Sequence, residues 1–169
     1  FDEYNSFYVG GSYSHLNRAN QSFNKNAFHP LWSKFTIHAG GEFLVTDRFG
    51  LVPGAVVFLQ GPSLEINAGT SFKFQLTNPR GWDNQSFQVG TFMRLANRYK
   101  DTNGEGGGIL ADALILSARF DYNDFAVGFS YDLNVSSLKV ASQYNGGFEF
   151  ALIYKMCGPE SRNVYCPNF

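Results

Sequence analysis

Charged residues are scarce in this chain. Asp, Glu, Lys and Arg make up only 16% of its 169 residues, whereas the surface of a soluble domain is usually about a quarter to a third charged. The net charge is −1, and no basic run is present that would give electrostatic attraction to a polyanion. We therefore expect no nucleic-acid partner. The scarcity of charged residues also predicts that part of the surface is not in contact with water.

Long apolar runs are also missing. No segment approaches the roughly 20 apolar residues that a membrane helix needs, so a closed β-barrel with strands of about 9–11 residues is the remaining membrane architecture. The chain opens without Met and without a signal-peptide pattern. We therefore expect the N-terminal part of the protein to be absent from it, with proteolytic maturation as the alternative.

Cysteine is nearly absent, and both copies lie close together near the C-terminal end. Cys157 and Cys166 bracket the segment CGPESRNVYC, in which Gly158 and Pro159 favour a turn. A disulfide between them is expected in an oxidising compartment. A pair of free thiols, or half of a metal site, is the alternative.

Aromatic residues and glycine are abundant: Phe and Gly each contribute 18 residues. Bulky apolar residues alternate with small or polar ones in eight segments, and this period of two predicts β-strands. No segment has a helical period, so the sequence predicts an all-β protein. The predicted strands are Ser6–Leu16, Lys34–Val45, Gly50–Gln60, Leu64–Leu76, Ser86–Leu95, Ala111–Tyr122, Phe125–Leu133 and Gly147–Met156.

The content of the two strand faces favours an antiparallel transmembrane β-barrel over a soluble one. One face is rich in Phe, Val and Leu, which suits lipid. The other carries Gly, Ser, Asn and isolated charges, which suit a wet lumen. A soluble, lipocalin-like barrel is disfavoured by the shortage of charge. Aromatic residues near strand ends are expected to form an interfacial girdle: Tyr8, Tyr13, Trp32, Tyr131 and Tyr154.

The lengths of the connections predict the orientation. Counted from the N-terminal end, the first, third, fifth and seventh connections between strands are long on the whole, and the second, fourth and sixth are shorter. Membrane barrels place their short turns in the periplasm. Both chain ends would then face the periplasm of a bacterial outer membrane. We divide the chain into barrel strands at 1–156 and a periplasmic tail at 157–169.

No catalytic, cofactor-binding or metal-binding motif is present, so we expect a non-enzymatic protein without a cofactor. His38 is expected to pair with Glu42 in the lumen, and Asp121 and Asp124 to stabilise a tight turn at Tyr122–Asn123. A small closed barrel acting as a channel or an acyltransferase-like enzyme is the alternative. Ser14 and His15 are its only candidate residues.

The long outward connections are the expected sites of partner contact. They cover Asn17–Ser33, Ala96–Leu110 and Asn134–Gly146, and they hold turn-forming and polar residues with aromatic residues among them. Aromatic anchors in a polar surround are what protein recognition tends to use. The alternative is that these side chains belong to the interfacial girdle. The candidates are Phe23, Phe28, Trp32, Tyr99 and Tyr144.

Several segments in a fixed order resemble the PorP/SprF family, outer-membrane proteins associated with the type IX secretion system of Bacteroidetes. The resemblance extends over nearly the whole chain. The matching segments are FYVGGSYSHL (Phe7–Leu16), FTIHAGGEF (Phe35–Phe43), LVPGAVVFLQGPSLEINAG (Leu51–Gly69), VGFSYDLNVSSL (Val127–Leu138), GGFEFALIY (Gly146–Tyr154) and CPNF (Cys166–Phe169).

The resemblance implies a barrel of about fourteen strands, of which this chain resembles the C-terminal portion. It also implies a non-enzymatic component that helps to export secreted cargo or to hold it at the cell surface. Its implied partners are outer-membrane lipid, cargo proteins with a type IX sorting domain, and other secretion or gliding-motility components.

Overall fold

A computed structural model describes residues 5–24, 27–77, 85–97, 107–136 and 146–155. All eight predicted strands are present, with ends that differ from the prediction by at most two residues. Strand β1 ends at Ser14 because the next residue, His15, has a positive φ of 61° and leaves the extended conformation. The strands are β1 (Asn5–Ser14), β2 (Lys34–Thr46), β3 (Phe49–Gln60), β4 (Ser63–Gln75), β5 (Gln85–Asn97), β6 (Ile109–Tyr122), β7 (Phe125–Asn134) and β8 (Gly147–Tyr154).

The strands form one antiparallel sheet in which each strand pairs with its neighbours in sequence, in the order β1 to β8. Two-residue turns at 47–48 and 123–124 join β2 to β3 and β6 to β7. Asn123 has a φ of 49°, a left-handed conformation that Asn tolerates and that tight hairpins require. The expected turn at Tyr122–Asn123 was therefore misplaced by one residue, and Asp121 belongs to the body of β6. No helix in the described residues is long and apolar enough to span a membrane.

The register separates the residues into two faces. Along β4, Glu65 pairs with Ala96 and Lys73 with Gln88, whereas Phe72 pairs with Val89 and Phe74 with Phe87. Because the side chains of a strand alternate between faces, the charged residues share one face and most bulky apolar residues share the other, while Val52, Phe58 and Phe92 lie on the charged side. Within the described strands, every Asp, Glu, Lys, Arg and His lies on the first face. We call this the polar face and its reverse the apolar face.

The polar face is concave. Residues from all eight strands line one cavity of about 430 Å³ on it. Small residues let bulky side chains lie flat there: a Cβ on Gly69 would come within 2.2 Å of the Thr91 carbonyl oxygen and 2.7 Å of the Phe92 ring. The predicted segregation of faces is confirmed, and the sheet curls around its charged residues.

The two edges of the sheet lie at β1 and β8. In the described residues these strands pair only with β2 and β7 respectively. Apolar-face side chains are more exposed at the edges than in the middle: Val9 on β1 is 72% exposed and Leu152 on β8 is 65% exposed, against 38% for Phe87 on β5. The edges thus leave both backbone groups and apolar side chains uncovered.

Candidate functional site

The polar face carries two charged networks, one at each end of the strands. We call the end with the short turns at 47–48 and 123–124 the turn end. The opposite end, from which residues 15–33 emerge, is the loop end.

The first part of the turn-end network is an ion pair that crosses a strand. Lys73 on β4 donates from Nζ to both carboxylate oxygens of Glu42 on β2, at 2.6 and 2.8 Å. The intervening strand β3 places Gly50 beside Lys73, so no side chain on β3 obstructs the contact. The two side chains are only 10% and 16% exposed. A charge-assisted pair this well shielded from water is a strong interaction.

The second part is centred on Asp121 of β6. Its carboxylate accepts hydrogen bonds from Arg119 Nη2 at 2.6 Å and Nε at 3.1 Å. It also accepts from the buried Ser86 Oγ at 3.3 Å and from Gln88 Nε2 at 3.4 Å, both on β5. Lys155 Nζ, just past β8, lies 4.0 Å away. Asp121 therefore ties together three elements at the turn end, a role unlike the turn-stabilising one that its sequence position suggested.

At the loop end, one guanidinium serves three carboxylates. Arg94 on β5 donates from Nη2 to Asp132 Oδ2. Its Nε lies 3.7 Å from Glu65 Oε1 and its Nη1 lies 3.9 Å from Asp112 Oδ2. A bulge between Arg94 and Leu95 shifts the register and turns Asp112 toward this side. Two of the carboxylate side chains are more than 40% exposed, so this cluster has more carboxylates than cations and presents two of them to water.

Neither network has the geometry of a metal centre. In the part of the chain that the structure describes, no group of three or more His, Cys, Asp or Glu residues could hold a metal ion. The expected pair of His38 with Glu42 was wrong, because Glu42 turns to Lys73. The His38 ring lies instead over Gly10, where a Cβ would be 2.5 Å from Nε2, and 5.9 Å from the ring centroid of Tyr8.

The connection from β1 to β2 forms a folded arm, which we call the first arm (residues 15–24 and 27–33). Its two sides are joined by a bridge between Asn20 and Pro30. The Asn20 side chain fixes the tip: its Oδ1 accepts from the backbone N–H of Ser22 at 3.1 Å and of His29 at 2.8 Å. Its Nδ2 donates to the Ala27 carbonyl at 3.1 Å. The arm is therefore pre-organised.

Trp32 anchors the base of the first arm. Its carbonyl oxygen accepts from Gln60 Nε2 at 3.1 Å and lies 3.1 Å from His15 Nδ1. Its indole covers Gly61, which has a positive φ of 56° and where a Cβ would be 2.7 Å from the ring. The Arg18 guanidinium sits 5.5 Å from the ring centroid, a favourable cation–π geometry. The His15 ring is thus engaged with the arm, and no described hydrogen bond joins it to Ser14.

The structure distinguishes among the expected partner-contact residues. Phe23 and Phe28 are 107% and 72% exposed near the tip of the first arm, whereas Trp32 is 55% exposed and packs at the base. Tyr99 and Tyr144 lie outside the described residues, as do Cys157 and Cys166.

The register shows which face the residues of the expected girdle occupy. Tyr13, Tyr131 and Tyr154 lie on the apolar face. Tyr8 does not. It shares the polar face with Ser6, lines the cavity, and its hydroxyl lies 2.5 Å from where a Cβ on Gly40 would be.

The fold and the two faces define an all-β protein. In its described strands the apolar face carries no charge, an arrangement typical of the wall of a membrane barrel. Residues 3–154 match the family model of the type IX secretion system membrane protein PorP/SprF. The chain belongs to this family, as its sequence suggested. No curated protein and no solved structure matches it.

Proposed function

We propose that this protein is a non-enzymatic outer-membrane component of type IX secretion that helps to export cargo or to hold it at the cell surface. The observation that carries the proposal is the complete segregation of strand charges onto the concave face, in a chain of the PorP/SprF family. A charge on the reverse face would cost about 2–4 kcal/mol at the middle of a bilayer. The described strands avoid that cost throughout.

The unpaired edges at β1 and β8 support a barrel that contains more strands than these eight. In lipid, each unpaired backbone group at an edge costs several kcal/mol, so β1 and β8 must acquire partners. We propose that further strands of the same protein complete a barrel of about fourteen strands, as the family resemblance implies. Direct pairing of β1 with β8 would give the smaller, eight-stranded alternative.

The two ends of the strands support an orientation with the turn end in the periplasm. The turns at 47–48 and 123–124 are short, whereas the first arm emerges from the loop end, where the two-residue turn at 61–62 is the exception. On the usual barrel rule the loop end then faces outward. The tail after Lys155 lies on the periplasmic side, where Cys157 and Cys166 would form a disulfide and where other secretion or gliding components would bind.

Cargo contact is assigned to the outward connections. The first arm offers Phe23 and Phe28 on a backbone fixed by hydrogen bonds, and a pre-organised backbone loses little conformational entropy when a partner covers it. Tyr99 and Tyr144 of the other two long connections would extend this surface, and Trp32 would support it from the base. A secreted protein with a type IX sorting domain is the expected occupant.

The test replaces Phe23, Phe28 and Tyr99 together with Ala in the full-length protein in its own cells. Surface-retained cargo should fall while the amount of protein in the outer membrane stays constant, because the substitutions touch no strand pairing. Deleting Asn103–Gly108 is the matched control, since it changes an outward connection without removing any of these aromatic residues. The deletion variant should insert normally and keep its cargo.

The opposite result would place the working site inside the barrel. Glu65 and Glu149 lie on the polar face, and Glu149 accepts a hydrogen bond only from Ser130 Oγ, at 3.4 Å, among the contacts described. If Glu65→Gln with Glu149→Gln abolishes surface cargo while the aromatic triple variant retains it, the assignment to the outward connections is wrong.

A further inference from the structure

A strip of three glycines crosses the polar face at the middle of the strands. Gly40 pairs with Gly54, and Gly54 pairs with Gly69, so the strip extends over β2, β3 and β4. Tyr8 on β1 pairs with Gly40 at one end of the strip, and Phe92 on β5 pairs with Gly69 at the other. We call the three glycines the glycine strip.

The two flanking rings lie over the glycine strip from opposite sides. A Cβ on Gly40 would be 2.5, 2.7 and 2.9 Å from Oη, Cζ and Cε1 of Tyr8. A Cβ on Gly69 would be 2.7 Å from the Phe92 ring, and a Cβ on Gly54 would be 3.7 Å from it. Both rings are half-buried and line the cavity on the polar face. The strip therefore gives the cavity a flat apolar floor made of two rings.

Two serine hydroxyls lie beside this floor, one level nearer the turn end. Gly90 on β5 pairs with Ser71 on β4 and with Ser117 on β6. Because Gly90 has no side chain, both hydroxyls approach the space above it: a Cβ there would be 2.1 Å from Ser71 Oγ and 2.8 Å from Ser117 Oγ. No described hydrogen bond satisfies either hydroxyl. Ser71 is only 8% exposed, so a ligand that reaches this space would meet two hydrogen-bonding groups that the described part of the chain leaves unused.

The charged groups that line the cavity are matched in number. Lys73 contacts Glu42 at 2.6 Å, and Arg119 contacts Asp121 at 2.6 Å. The complete set is Lys73, Arg119 and Lys155 against Glu42, Asp121 and Glu149. The cavity therefore offers no excess of either sign to an ionic ligand.

We propose that this cavity binds a neutral sugar, with a pyranose ring stacked on Phe92 and its hydroxyls bonded to Ser71 and Ser117. A pyranose has an apolar C–H face, which suits the negative face of an aromatic ring. Its rim of hydroxyls both donates and accepts hydrogen bonds, as serine hydroxyls do. Gly90 and Phe92 are two residues apart, about 7 Å along the strand, so one sugar contacts both groups. The cavity volume of about 430 Å³ is in the usual range of small-molecule sites.

Other classes of ligand fit the same cavity less well. A peptide that adds to a sheet pairs with backbone groups at an edge, whereas the floor of this cavity lies on strands whose backbone groups pair with both neighbours. An acyl chain would press hydrocarbon against Ser71, Ser117 and the ion pairs, and would leave their hydrogen-bonding groups unsatisfied. A neutral ligand with both an apolar face and hydroxyls avoids both costs.

The experiment measures sugar binding by the full-length protein in lauryldimethylamine oxide, a detergent without a sugar headgroup. The probes are the methyl pyranosides of glucose, galactose, mannose and N-acetylglucosamine, titrated with detection by saturation-transfer NMR. At least one of them should bind, with the strongest transfer to the C–H protons of one ring face. Phe92→Leu should weaken that binding about fivefold, because it keeps an apolar side chain but removes the aromatic face.

The hydroxyls are tested by a second variant. Ser71→Ala with Ser117→Ala should weaken binding about tenfold, since two neutral hydrogen bonds to the sugar are lost. Phe58→Leu and Ser12→Ala are the matched controls, because both residues lie on the polar face but outside the lining of the cavity. The controls should bind the sugar as the unaltered protein does.

Each contrary outcome overturns a stated part of the proposal. If none of the four pyranosides shows saturation transfer with folded protein, the cavity is not a sugar site. If glucose 6-phosphate binds more tightly than methyl glucoside, the cations of the cavity select an anion, and the neutral ligand class is wrong. If binding survives both Phe92→Leu and the double serine variant, the sugar binds elsewhere on the protein. Surface-retained cargo is a separate readout, so the proposed function stands or falls independently of these results.

Discussion

The turn end and the loop end of the polar face differ in how their charges are matched. At the turn end, Lys73 holds Glu42 at 2.6 Å in a setting that excludes most water. At the loop end, Arg94 is shared among three carboxylates, two of them at 3.7 and 3.9 Å and well exposed. The Lys73–Glu42 pair is balanced and buried, whereas the Arg94 cluster has more carboxylates than cations and is partly exposed to water.

This difference separates structural charges from surface charges. A buried charge that loses its partner is strongly destabilising, whereas an exposed pair contributes little to stability. The turn-end network should therefore contribute to the stability of the sheet. The loop-end network should mainly set the surface charge at the loop end of the polar face. The first and the last of four predictions, ordered from the largest expected effect to the smallest, test this contrast directly.

Removing the cation of the turn-end pair should have the largest effect. Lys73→Met leaves the Glu42 carboxylate without its partner and should lower the free energy of unfolding by about 3–5 kcal/mol. Urea unfolding in detergent or lipid would measure the change. Adding Glu42→Gln to Lys73→Met should restore most of the loss, and a double variant as unstable as the single one would show that the pair is not the cause.

A charge on the apolar face should be nearly as harmful. Leu116→Arg should cost about 2–4 kcal/mol if this residue lies near the middle of the bilayer. Ser130→Arg, on the polar face of the adjacent strand and close to Glu149, is the matched control and should be tolerated. Equal tolerance of the two variants in a folding assay would mean that the faces are assigned the wrong way round.

The tail beyond the turn end should be fastened by a disulfide between Cys157 and Cys166. Closing so short a loop should stabilise the tail by roughly 2–3 kcal/mol in the chain-entropy model. Thiol alkylation of the native protein, with and without prior reduction, measures the bond by mass spectrometry. Two freely alkylated thiols before reduction would refute the prediction.

Weakening the loop-end network should have the smallest effect. Asp112→Asn removes an exposed carboxylate 3.9 Å from Arg94, and the expected cost is below about 1 kcal/mol, falling further as salt is added. The measurement is the same urea unfolding as for Lys73→Met. If Asp112→Asn lowered the free energy of unfolding as much as Lys73→Met does, the two charged networks would not differ in their contribution to stability.

The period of two in the sequence was enough to predict the fold and the faces. The fourth predicted strand, with Phe72 and Phe74 opposite Lys73, has the face assignment that the register shows. Alternation works here because a strand offers its side chains only two directions. The strand order also follows, since short connections favour pairing between successive strands.

The partners of the charged residues could not be read from the sequence. Glu42 and Lys73 meet across a third strand because Gly50 leaves room, and no spacing in the sequence encodes that contact. The bulge that turns Asp112 toward Arg94 is likewise a matter of register. Tyr8 was misassigned because it was grouped by its nearness to a strand end, although alternation along β1 places it with Ser6 and Gly10.

Cell fractionation tests the central claim most directly, namely that the apolar face meets lipid in the outer membrane. The full-length protein should sediment with the outer membrane, require detergent for extraction, and migrate differently on a gel before and after heating, as closed membrane barrels do. Recovery as a soluble monomer without detergent, with no change in migration on heating, would contradict the account.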